Sequence, residues 1–172
     1  MKQMLLIVAC LVSLTLQAQK SLSVSLNIRL YPIQTLVVNT NQQTVNLDYV
    51  TKSDYENGVT SKQVDHLSVF STGGFEIKVK GNDLVNNSRS ISAQDVFIQP
   101  YNGSSALSGV TYHPVDLNGS ETLIISSDKG SINNTLSVDY SAKGDFKYLD
   151  LYRYSDIANV FSTSVIYVIN PK

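Results

Sequence analysis

From Leu22 onward the chain alternates with period two. Leu22, Val24, Leu26, Ile28 and Leu30 are apolar while Ser21, Ser23, Ser25, Asn27 and Arg29 between them are polar, which is the pattern of a strand with one apolar face. Pro32 interrupts it and marks a bend or an edge position, because proline has no N–H to give to a ladder. Leu36-Val37-Val38 is a short apolar run, and Val45, Leu47 and Tyr49 alternate again before a polar stretch ending in Asn57-Gly58, a turn signal. Leu67 to Phe70, then Ser71-Thr72-Gly73-Gly74, then Phe75 to Lys80 predicts a hairpin, with Phe75, Ile77 and Val79 inward and Glu76, Lys78 and Lys80 toward water.

Leu84 to Ser90 reads as a polar connection and Ile91 to Gln99 as a strand, with Val96 and Ile98 on its apolar side and Pro100 ending it. Further strand segments carry Val110 and Tyr112, then Leu123 to Ile125, then Leu136, Val138 and Tyr140. The last runs from Phe161 to Ile169. Phe161, Thr163, Val165, Tyr167 and Ile169 share one side, Ile166 and Val168 lie on the other, and two apolar faces predict a strand covered on both sides. No window of eleven residues carries an apolar stripe at helical spacing, and Ser155 to Val160 reads as a loop with a helical turn. Seven or more short strands separated by Gly, Asn and Pro turns imply an all-β, immunoglobulin-like antiparallel β-sandwich over residues 31–172.

The start of the chain reads differently. Lys2, the apolar run Met4 to Leu16 and the small residue Ala18 match a secretory signal peptide spanning residues 1–18. An alternative takes Ile7-Val8-Ala9-Cys10 as a lipobox that would make Cys10 a lipidated N-terminus. Cleavage after Ala18 removes the single cysteine, which excludes a disulfide framework and thiolate chemistry. Past residue 18 no apolar run is long enough to span a bilayer. The 172 residues carry 13 Lys and Arg against 14 Asp and Glu, scattered along the chain, so there is no basic patch of the kind nucleic acid requires.

Candidate chemistry is sparse. His66 and His113 lack metalloprotease spacing and read as solvated surface residues. Asp65 beside His66 would point to the opposite face of a strand. No Gly-x-Ser-x-Gly elbow occurs, Asp145 and Asp150 form no recognisable acid pair, and no acidic loop fits calcium. Four Asn-x-Ser/Thr sequons, at Asn86, Asn102, Asn118 and Asn133, follow from a chain rich in Asn and Ser. The expectation is a non-enzymatic protein with no catalytic residue, metal or cofactor. Tyr148, Tyr152 and Tyr154 stand close together and form a candidate binding patch for a sugar ring or a protein surface, or else close one end of the sandwich.

Several stretches carry a family likeness: Ser23 to Pro32, Glu121 to Ser126, Tyr140 to Gly144 and Phe161 to Ile169. With the leader and the missing cysteine, the chain resembles a pilin of the chaperone-usher pathway, nearest to the major subunits of colonisation-factor fimbriae. It also resembles bacterial surface domains of the WxL kind, from which it departs in containing no Trp.

The pilin resemblance implies an incomplete sandwich completed by the N-terminal strand of the next subunit. The donor would be the alternating strand of residues 19–30, with Leu22, Val24, Leu26, Ile28 and Leu30 as pegs; Phe161, Val165, Tyr167 and Ile169 would line the acceptor groove. Its partners would be identical or related subunits, a periplasmic chaperone and an outer-membrane usher, on a secreted, cell-surface filament. Alternation alone leaves open whether this strand fills a neighbour's core or its own. A monomeric module binding carbohydrate or protein through the tyrosines is the alternative function.

Overall fold

The computed structural model describes residues 21–153 and 159–172. The chain divides into two units, Met1–Tyr31 and Pro32–Lys172. The leader, Cys10 and Tyr154 lie outside the described residues.

The second unit is all-β and sandwich-like. One sheet has five strands, in the order β1 (Gln34–Val38), β2 (Val59–Ser71), β10 (Ser131–Ala142), β6 (Val96–Asn102) and β8 (Val115–Asp116). The other has four, in the order β11 (Ile166–Pro171), β3 (Phe75–Lys80), β9 (Thr122–Ser127) and β7 (Val110–Tyr112). Every pairing in them is antiparallel. Leu67, Val69, Ile98, Leu136 and Val138 from the first sheet meet Phe75, Ile77, Val79, Ile124 and Ile125 from the second in one buried core. The inward and outward alternation of β3 is as expected, with Phe75, Ile77 and Val79 at 0, 0 and 1% exposure and Glu76, Lys78 and Lys80 half-buried.

Four expectations are corrected. The Leu67–Lys80 segment is not a hairpin: β2 and β3 belong to different sheets, and Ser71 to Gly74 carries the chain across the core. The buried Ser71 hydroxyl donates to the Gly73 carbonyl at 2.8 Å and braces the crossing. Residues 84–91 are themselves a small hairpin, β4 (Leu84–Asn86) and β5 (Arg89–Ile91), turned through Asn87 at φ 51°. Pro100 lies inside β6 and does not end it; it faces Val138 of β10, and β8 covers β6 only at Phe97 and Ile98, so no partner there needs a proline N–H. The last strand begins at Ile166, forms a sheet edge and leaves Ile166 47% exposed, where burial on both faces was expected.

The polar stretch after Tyr49 holds one short helix, α1 (Lys52–Asn57). Thr51 and Asp54 close a reciprocal capping box at its start. At its end Gly58 takes φ 80°, and a Cβ there would sit 2.3 Å from the Ala142 carbonyl, so glycine is required on both counts.

Candidate functional site, an uncovered slot between two edge strands

Along one flank of the sandwich the two sheets end in β1 and β11, and neither has a second neighbour among the described residues. Each of them turns alternate side chains to the core. Leu36 and Val38 from β1, Val45 and Leu47 from the chain after it, and Val165, Tyr167 and Ile169 at the other edge all pack against the core while remaining half-buried. β1 and β11 approach each other to within 8 Å between Cα atoms.

Beyond β1 the chain turns at Thr40–Gln42, and residues 43–50 continue with no ladder. Their burial still alternates, with Val45, Leu47 and Tyr49 half-buried and Asn46, Asp48 and Val50 exposed. The opposite edge, residues 159–165, carries an isolated bridge between Ser162 and Val85, where each N–H donates to the other carbonyl at 3.0 and 3.1 Å. Between these two segments opens a cleft of about 410 Å³ whose walls include Leu47, Tyr49, Tyr148, Tyr152, Val160 and Phe161.

The walls are held from outside. Arg89 of β5 stacks over the Phe161 ring at 5.3 Å, donates to Asn159 Oδ1 at 2.9 Å and donates to the Leu151 carbonyl. Asn86 Nδ2 donates to the Val160 carbonyl at 2.8 Å. Nearby, the buried Asp95 carboxylate receives Lys147 at 2.6 Å and Lys143 at 3.3 Å. A carboxylate removed from water needs such cations close by.

Of the expected acceptor residues, Val165, Tyr167 and Ile169 line the slot edge, and Phe161 stands at the wide end beside the cleft. The tyrosine patch is rearranged. Tyr148 is buried and packs edge-on against Tyr49 at 5.2 Å, while Tyr152 is 50% exposed; both line the cleft. Tyr49 and Tyr55 complete the aromatic wall, their rings 5.2 Å apart. The sequence shows both, and their role was not legible because only the fold of residues 43–57 brings them to Tyr148. The Tyr49 hydroxyl donates to the Lys143 carbonyl at 2.6 Å, but the Tyr148 hydroxyl has no hydrogen-bond partner among the described residues. Burial pushes the Tyr148 phenol up to about 12. Tyr148→Phe is therefore expected to change stability by no more than about 1 kcal/mol in urea unfolding, since the hydroxyl makes no well-formed hydrogen bond and the ring packing stays in place.

His66 is the largest correction among the candidate residues. It is 3% exposed, not a surface residue. Asp65 takes φ 53°, and the β2–β10 register shifts opposite it, between Leu136 and Val138. This bulge places His66 and Leu67 both inside, breaking the alternation. Asp65 turns away, accepting from the Ser104 hydroxyl, the Ser104 N–H and the Thr135 hydroxyl, each at 2.7 Å, and these bonds lower its pKa. The imidazole is held by other groups. Gln42 Nε2 donates to the Val64 carbonyl at 2.8 Å, which leaves Gln42 Oε1 to accept from His66 Nδ1–H at 3.0 Å. Nε2 then accepts from the Tyr140 hydroxyl at 2.8 Å, and Tyr167 donates to Tyr140. Burial lowers the His66 pKa below its ordinary 6.5 and raises that of Tyr140 to about 12.

The unfolded chain thus takes up the His66 proton before the native one does, so the stability this residue contributes is complete above about pH 6.5 and is lost as pH falls below it. The urea midpoint is expected to fall between pH 7.5 and 5, and His66→Gln to remove that part of the slope.

His113 lies half-buried between β7 and β8, its N–H donating to the Ile124 carbonyl at 2.8 Å, and Asp145 and Asp150 are both exposed. No group of three or more metal-ligating side chains occurs among the described residues, and no helix there is long and apolar enough to cross a membrane.

Residues 21–31, in the first unit, pair with no strand among the described residues. Leu22, Val24, Leu26, Ile28 and Leu30 are 93, 92, 88, 82 and 89% exposed. Compared with known proteins, the chain matches no family model and no curated sequence.

Proposed function

We propose that the protein is a secreted structural subunit of a surface fimbria or filament, assembled by inserting the Leu22–Leu30 segment of one copy into the slot of the next. The observation that carries this reading is a double deficit in one chain. Five alternating apolar side chains stand exposed, and the two sheets end in β1 and β11, edges with no further ladder partner among the described residues and with core-facing side chains only half-buried. Burying the five would contribute roughly 10 kcal/mol before ordering costs, at about 1.5–3 kcal/mol per side chain. The backbone between the two edges would gain a ladder at the same time, the usual source of affinity in strand addition.

Self-insertion is disfavoured by the connection. Tyr31-Pro32-Ile33 is all that separates the pegs from β1, and it contains no Gly, Asn or Asp for a tight hairpin turn. A second copy has no such constraint. Because donor and slot are different surfaces, the contact is heterologous and does not close, so it propagates as a filament. Export through residues 1–18, and transient cover of the slot by a periplasmic chaperone before an usher joins the subunits, belong to the same reading.

Size-exclusion chromatography of the mature protein at micromolar concentration tests it. The expected result is a series of multimers that persists in unheated detergent and collapses to monomer on boiling. A single folded monomer peak would overturn it. That outcome would favour the second reading, a monomeric surface module, for which the tyrosine-walled cleft is the supporting observation.

A further inference from the structure

Gln42, His66, Tyr140 and Tyr167 form one hydrogen-bonded chain running through the interior. Gln42 belongs to the turn that follows β1, His66 to β2, Tyr140 to β10 and Tyr167 to β11. The chain therefore starts at one edge of the slot, crosses the core and ends at the other edge, in the opposite sheet. The rings pack as well, with His66 edge-on to Tyr140 at 5.6 Å and to Tyr167 at 6.0 Å.

We propose that this chain is an acid-sensitive latch that sets the spacing of the two slot edges, so that a strand seated in the slot is held at neutral pH and released in mildly acidic surroundings. The inference rests on the slot being a strand acceptor.

The direction of every bond follows from Gln42. Its Nε2 is committed to Val64, so its oxygen faces His66 and the proton must sit on Nδ1. The bare Nε2 can then only accept, which orients the Tyr140 hydroxyl toward it and the Tyr167 hydroxyl toward Tyr140. A second proton on His66 turns Nε2 into a donor and reverses this order. Tyr140 must then donate to Tyr167, whose own proton has no acceptor among the described residues.

Nothing facing the ring would compensate the new charge. The turn after β1 offers Gln42, β10 offers Tyr140 and β11 offers Tyr167, none of them an anion at neutral pH. On β2 the neighbouring Asp65 is spent on Ser104 and Thr135. Burial is the cause of the His66 shift, with no contribution from a nearby charge. Protonation thus strikes a bonded path that joins the two edges through the core, and the cheapest relief is for an edge to move away.

The test uses the mature full chain carrying Leu26→Asp, which disables the donor segment and leaves the slot free. Hydrogen exchange, corrected for intrinsic rates, is followed at pH 7.5 and 5.5, together with the dissociation rate of a labelled peptide covering Lys20 to Tyr31. The expected result is a severalfold loss of protection at pH 5.5, with about tenfold as the ceiling for one group of ordinary pKa 6.5, confined to residues 34–38 and 166–171, with β6 unchanged. Peptide dissociation should quicken severalfold over the same interval, below the same ceiling. With His66→Gln added, both pH effects should vanish.

Tyr167→Phe cuts the chain without touching the imidazole and should already show the acid pattern at pH 7.5. Uniform loss of protection, an unchanged pH response in His66→Gln, or normal edge protection in Tyr167→Phe would each overturn the latch. A peptide that binds but leaves at a pH-independent rate would overturn it too, with strand acceptance intact. A peptide that fails to bind at pH 7.5 would instead overturn strand acceptance and, with it, the hold and release of a strand by the latch.

Discussion

Mature protein carrying Leu26→Asp is expected to remain folded and monomeric under conditions in which the unsubstituted protein forms multimers. Leu26 is 88% exposed in the single chain, so the substitution should change monomer stability by no more than about 0.5 kcal/mol. Within a neighbour's slot the same carboxylate would sit among Leu36, Val38, Val165 and Ile169 with no cation opposite it. Leaving a charge unpaired in such surroundings costs several kcal/mol, enough to abolish insertion. Chromatography and thermal unfolding, run side by side, check both halves. A fall of several degrees in the melting temperature would show that residues 22–30 support their own domain and would remove the basis for strand exchange.

The largest stability effect is expected at Phe75. Its side chain is fully buried where the chain enters the second sheet after the Ser71–Gly74 crossing, and it is the largest of the fully buried side chains. Phe75→Ala should cost about 3–5 kcal/mol, the lost transfer energy plus the cavity left behind. That is a large share of the 5–15 kcal/mol typical of a domain. Urea unfolding followed by circular dichroism would show it, and a loss under about 1.5 kcal/mol would mean that the two sheets share this core far less tightly than the burial implies.

Much of the fold can be read in the sequence where one side of a strand meets the core and the other meets water. Phe75, Ile77 and Val79 against Glu76, Lys78 and Lys80 are such a case, and so are Val45, Leu47 and Tyr49, whose alternation survives even without a ladder. The sequence is silent where a single backbone angle decides. The positive φ at Asp65 turns His66 inward, and nothing in Val64-Asp65-His66 announces a bulge. Ser71-Thr72-Gly73-Gly74 permits either a hairpin or a passage between sheets, and pairing of β3 with β9 and β11 selects the passage.

Alternation from Leu22 to Leu30 says that a face wants burial; it cannot say against what. The slot was legible only in part. Val165, Tyr167 and Ile169 mark one edge, but the apolar pattern of Leu36 to Tyr49, though visible, does not say that this segment forms the other.

The order of strands also bears on how quickly the molecule can assemble itself. β2 lies between β1 and β10, and its longer partnership is with β10, so that Leu67 waits for Leu136 and Ser61 for Tyr140. β3 likewise waits for β9 and then for β11, where Ile77 meets Ile169, 92 positions further along. Loops of that length must close before their contacts give any return, which places such a topology among slow folders, in the range of about milliseconds to seconds. During that interval Leu67, Val69, Ile77 and Val79 face solvent on half-paired strands, a state prone to associate with its own kind as concentration rises. Refolding yield should therefore fall with protein concentration, and a nascent chain would gain from any surface that shelters β2 and β3 until Tyr167 arrives.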